Sequence, residues 1–203
     1  MAAIGFGILF AATAIAFRVG ATKELDHATY VLFQSIDDTT LDAIAQADDD
    51  LARAIPTFAA AGVMSLILAW KGPRWAWIVP LFIGLTGVVE FFAKLGFIRG
   101  LRLGEILAAA RELIGYRYHT GGAFPSGHVA RSAFLATVGL RLFPSWLALP
   151  LVAFAALTFV ARLYIEAHRL SDVVGGVALG ASAACAGLWL RQTVDARTSR
   201  RTP

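Results

Sequence analysis

The chain has 203 residues, of which 58% are hydrophobic and 16% charged, with a formal net charge of +4 and a mean hydropathy of +0.66. A water-soluble domain carries about a quarter charged residues, so this composition is that of a membrane protein and excludes disorder, collagen and coiled coil. The single cysteine, Cys185, excludes an internal disulfide framework and a cysteine zinc site.

Uncharged windows predict an all-α, polytopic membrane protein, a six-transmembrane-helix bundle built as a single domain over 1–203. The windows run in chain order. Met1–Phe17 ends at Arg18 and reads as a retained helix, because it lacks the basic start and polar cleavage region of a secretory signal. Segment 18–53 follows as an outer loop or interfacial helix. Its stretch 36–50 carries six aspartates and reads as a solvated face. Ala54–Trp70 is the second span and Trp75–Ala93 the third, with Glu90 near its far end.

The fourth span needs more argument, since Arg131 and Arg141 interrupt the apolar run. Taking Pro125–Phe143 as one helix gives a full span with His128 and Arg131 in its first turns. Ionisable groups inside a membrane are costly and mark function. Leu142–Ala161 supplies the fifth span and Val173–Leu190 the sixth, where Gly176 and Gly180 sit at a spacing that lets helices approach closely. Residues 191–203 form a basic tail. An even number of spans places both termini on one side, read as cytoplasmic, so segments 18–53 and 94–125 and the candidate site face outward. The tail accounts for much of the positive charge beside anionic lipid, so no nucleic-acid partner is implied.

Three clusters carry chemistry at the outer helix ends. They are Lys94, Arg99 and Arg102 after the third span, Pro125-Ser126-Gly127-His128 opening the fourth, and Arg162, His168 and Asp172 between the fifth and sixth. Arginine presents a planar fork to phosphate oxygens and lysine a point charge. Ser126 and Gly127 stand at a helix start, where free N–H groups bind anions. His168 and Asp172 are four residues apart and share a helical face. A carboxylate on one imidazole nitrogen frees the other for attack, and His128, from another helix, can act as general acid. Cations around an in-line displacement at phosphorus complete the set. Arg131 is a further phosphate contact or a partner for Glu166. Three cations in one place disfavour a metal ion, so no metal and no cofactor are expected.

The pattern resembles the type 2 phosphatidic acid phosphatase family, membrane lipid phosphatases that share a site with vanadium haloperoxidases. The middle motif of that family, Pro-Ser-Gly-His, stands unchanged at Pro125–His128. Its last motif, Ser-Arg, five residues, His, three residues, Asp, is matched by Ala161-Arg162, His168 and Asp172, with Ala161 in place of serine. Its first motif, Lys, six residues, Arg-Pro, is degenerate. Leu101 occupies the strict arginine position, Arg102 lies one residue further from Lys94, Leu103 stands where proline is expected, and Arg99 is the other candidate. The resemblance covers 54–190.

It implies a metal-independent phosphatase acting on a membrane lipid (phosphatidate, phosphatidylglycerophosphate, a polyprenyl diphosphate such as undecaprenyl diphosphate, or a lipid A phosphate) through a phosphohistidine on His168. Asp172 would orient His168. His128 would protonate the leaving group, and Lys94, Arg102, Arg162, Ser126 and Gly127 would hold the phosphoryl oxygens. The implied location is a cell membrane, read as a bacterial inner membrane from the alanine-rich composition, with the bilayer as partner and the oligomeric state left open. Residues 103–124, with Tyr116, Arg117, Tyr118 and His119, are expected over the site to set lipid choice. Two other readings are a serine protease using Ser126 and a non-enzymatic lipid binder. The first lacks a Gly-x-Ser-Gly form, and side chains two apart on a helix diverge. The second predicts lipid binding that survives loss of His168.

Overall fold

The computed structural model describes residues 2–70, 76–97 and 124–199. Among these, all regular structure is helical. The helices are α1 (Ala2–Val19), α2 (Lys23–Gln34), α3 (Thr39–Ala52), α4 (Ala54–Trp70), α5 (Ile78–Phe97), α6 (Gly127–Leu142), α7 (Ser145–Tyr164) and α8 (Leu170–Ser199).

Helices stand over all six apolar windows, yet only some meet the length and polarity of a membrane span. Ala2–Val19, Ser145–Tyr164 and Leu170–Thr193 do, and α3 with α4 makes a fourth if that pair, bent by 60°, is one broken span. The 16 residues of α6 rise about 24 Å, less than the ~30 Å of a hydrocarbon core. The chain is therefore a multi-pass membrane protein with three or four long apolar helices among its described residues.

Segment 18–53 is two helices rather than a loop. Asp38 starts α3 by accepting the N–H groups of Thr40 at 2.7 Å and Leu41 at 3.0 Å, which stabilises a helix start. Those N–H groups, Leu41 first, hold its carboxyl below the ordinary value. The acid run is not the wholly solvated face expected from composition. Asp38, Asp42 and Asp49 recur on one side of α3, and that side docks on α7. The Tyr164 hydroxyl donates to Asp42 at 2.7 Å and the Thr158 hydroxyl to the buried Asp48 at 2.8 Å.

Helix α8 is the central pillar, packed against α6, α1 and α5. Its contact with α6 depends on a missing side chain: a Cβ on Gly180 would overlap the Ala130 carbonyl oxygen, and backbone cannot yield as a side-chain tip can. One apolar cluster joins α4, α5, α6 and α8 through Ala61, Met64, Val79, Ile83, Phe134, Leu135 and Ala184. A smaller one joins α6, α7 and α8 through Val129, Leu163 and Val173. Each residue of the smaller cluster is the chain neighbour of a residue singled out by motif (His128, Arg162 and Asp172). Close-packed interiors resist displacement, so this cluster fixes three helix ends against one another.

Candidate active site

Ser126 is the N-cap of α6 and is fully buried, with no side-chain capping bond. Its own N–H donates to the Asp172 carbonyl at 2.9 Å, which stitches the start of α6 to the start of α8. Just before it, Phe124 is buried between two rings of α1, stacked on Phe10 at 5.8 Å and Phe17 at 5.2 Å between centroids. The first helix thus holds the Pro-Ser-Gly-His turn in place.

The turn between α7 and α8 carries the second group. The His168 N–H donates to the Arg162 carbonyl at 3.3 Å, folding the turn back on α7. Asp172 is fully buried, and its Oδ2 accepts the Arg169 N–H at 3.1 Å. His168 Nδ1 lies 3.5 Å from the same oxygen, so the carboxylate faces Nδ1 and leaves Nε2 directed elsewhere. The pair expected from four-residue spacing is formed. Asp26 of α2 locks this turn from outside, accepting the Ser171 N–H and hydroxyl, both at 2.9 Å. A hydrogen bond to a charged group contributes roughly 1.5–3 kcal/mol, and this one fixes the residue between His168 and Asp172.

The basic residues occupy two positions. On one side, Glu90 is buried and pairs with Lys94 at 2.5 Å and Arg131 at 3.1 Å. A Cβ on Gly127 would overlap both oxygens of that carboxylate, so the glycine is what admits Glu90 to the first turn of α6. Arg131 also donates to the Ala52 carbonyl at 3.3 Å. Its partner is Glu90, not Glu166, which is exposed in a left-handed turn residue at φ 56°. On the other side, Arg162 is 2% exposed. It binds Asp49 of α3 through Nη1, with Asp48 at 3.8 Å from Nη2. The oxygen of Asp49 that meets Arg162 is also 3.6 Å from His128 Nε2. Arg99 and Arg102, together with the 103–123 stretch, lie outside the described residues.

The chemistry is visible in what these groups leave unused. Ser126 Oγ, Arg131 Nε and Arg162 Nε are buried and make no hydrogen bond among the described residues, while His128 Nε2, Arg162 Nη2 and His168 Nδ1 meet carboxylates only at 3.5–3.8 Å, with Asp48 Oδ2 and Asp172 Oδ1 also without a hydrogen bond. Buried polar groups are almost always satisfied, and donors left without a hydrogen bond beside a helix start are suited to an anion with several oxygens. Sequence reasoning missed Asp26, Asp48, Asp49 and Thr158. Nothing in the sequence distinguishes Asp26. Asp49 carried a signal, the helical spacing of 38, 42 and 49, hidden inside an acid run.

The family model of the PAP2 superfamily matches residues 103–196. A solved structure, a transmembrane PAP2-type phosphatidylglycerolphosphate phosphatase from Bacillus subtilis, is similar with a TM-score of 0.67 at 17% identity. The alignment covers 97% of this chain and 96% of that one. At that identity the likeness concerns the fold. A comparison with curated proteins gives no match.

Proposed function

We propose that the chain is a membrane phosphatase of the PAP2 superfamily, whose family model matches residues 103–196, and that it removes phosphate from a membrane lipid in two steps without a metal ion. His168 Nε2 attacks phosphorus in line and the lipid alkoxide or phosphate leaves, giving a phosphohistidine. Asp172, facing Nδ1 at 3.5 Å, holds the ring orientation and stabilises the cation that forms. His128 protonates the leaving oxygen and then takes a proton from the water that hydrolyses the phosphohistidine. Arg162, Ser126 and the N–H groups opening α6 hold the equatorial oxygens, with Lys94 and Arg102 as further cations. The observation that carries this reading is that Arg162 and His128 meet at one oxygen of Asp49, while His168 turns Nδ1 to Asp172.

The substrate we favour is a phosphomonoester lipid of the phosphatidylglycerophosphate or phosphatidate kind, since the neighbouring structure is named for the first. A polyprenyl diphosphate is the alternative, because both present a terminal phosphate on a lipid tail. Six spans, cytoplasmic termini and an outward-facing site complete the proposal. Phosphate release from a panel of lipid monophosphates and polyprenyl diphosphates, by detergent-purified protein in EDTA, tests it. The expected result is release from one class at a rate unchanged by EDTA. Release abolished by EDTA, or none from folded protein, contradicts it.

A further inference from the structure

Among the described residues, the buried cations of the site already have carboxylate partners. Lys94 and Arg131 share Glu90, and Arg162 faces Asp49 and Asp48. A phosphate oxygen can therefore take the place beside Arg162 Nη1 only where Asp49 gives way. The four carboxylates differ in their freedom to do so. Asp172 is fully buried and tied to the Arg169 N–H. Glu90 is clamped by two cations with 8% of its side chain exposed, and Asp48 is wholly enclosed and bound by Thr158. Asp49 alone is open toward the outside, with 18% of its side chain exposed. Its other oxygen already has a second partner, Arg53, at 3.1 Å, and it lies one turn from the 60° bend between α3 and α4.

One oxygen of Asp49 stands between Arg162 and His128 Nε2, the position that an oxygen of a bound phosphate needs. We propose that Asp49 is a specificity-determining residue: it holds this position against the monoanionic phosphodiester headgroups of the surrounding bilayer and yields it to a phosphomonoester. The inference rests on the phosphatase reading above. A phosphomonoester carries about −1.5 to −2 charges at neutral pH, whereas a phosphodiester carries one. Both meet the same cations, so the more highly charged ligand gains more on displacing the carboxylate. A cradle of arginines without such an occupant, set at a membrane surface dense in phosphodiesters, would be filled by them. Specificity of this kind requires an element that disfavours the wrong partner.

The test is competition by phosphatidylglycerol in neutral-detergent micelles against a lipid phosphomonoester, for the wild type, Asp49→Asn and Asp50→Asn. Asp50 is on the same helix and pairs only with Arg53 among the described residues, so its substitution controls for a general loss of charge. The expected result is a fall of roughly tenfold or more in the inhibition constant of phosphatidylglycerol for Asp49→Asn, from the loss of one charge-assisted competitor. Asp50→Asn shows no change. An unchanged inhibition constant with a fall in kcat overturns the inference and makes Asp49 a positioning residue for His128. Asp49→Ser is the second variant should the amide fold poorly. Calorimetric binding of phosphatidylglycerol to the same proteins reads the change without turnover. An inactive wild type whose Asp49→Asn variant still gains phosphodiester affinity refutes the phosphatase reading alone.

Discussion

Replacement of His168 by alanine is expected to lower phosphate release by roughly 10⁴-fold or more, the scale seen when a nucleophile that works as part of a unit is removed. The loss should come with little change in stability. His168 lies in the turn between α7 and α8, its side chain is 11% exposed, and its Nδ1 faces Asp172 at 3.5 Å. That carboxylate keeps the Arg169 N–H after the substitution, and the backbone bond from the His168 N–H to Arg162 does not involve the side chain. A thermal melt within a few degrees of the wild type, beside abolished turnover, is the predicted pair of results. A lipid-binding scaffold predicts no turnover in either protein and equal lipid binding in both.

Arg162→Ala should fail differently, losing both activity and fold. Its guanidinium is buried against Asp49 and Asp48 and carries donors aimed at the site. Removing one partner of a buried ion pair costs about 3–5 kcal/mol, because the remaining charge is stranded. Here Asp48 would keep only the Thr158 hydroxyl and Asp49 only the half-exposed Arg53 among the described residues, and the docking of α3 on α7 would loosen. Removal of a donor that stabilises developing charge costs a further 10²–10³-fold in kcat, roughly. The two effects separate in the triple variant that adds Asp48→Asn and Asp49→Asn. Its melting temperature should recover most of the loss while phosphate release stays low. Recovery of both would mean that Arg162 serves only to hold α3.

The sequence made part of this site legible because the chemistry is local. Pro125–His128 is one turn, and His168 and Asp172 are one helical period apart, so spacing alone places each group on one surface. The apolar windows locate α1 and α4 to α8 for the same reason, since a lack of charge is a property of a short stretch. What was hidden depends on helices far apart in the chain. Sequence spacing offers Arg131 a partner in Glu166, whereas packing of α5 against α6 brings it Glu90. Asp49 reaches Arg162 across more than a hundred residues, and the acid run around it has the composition of a wet surface. Asp26 looks like any polar residue of an amphipathic helix until α2 is laid against the start of α8. The short length of α6 was also not visible, because Pro125 and Phe143 bracket an apolar stretch longer than the helix that forms within it.

The central claim is that the phosphoryl group passes through His168. Rapid quenching of purified protein with a phosphate-labelled lipid substrate, followed by peptide mapping, tests it most directly. The account predicts a transient phosphoprotein, labile to acid and stable to alkali, with the label on His168. Steady turnover with no such species, or with the label on Ser126, would contradict it.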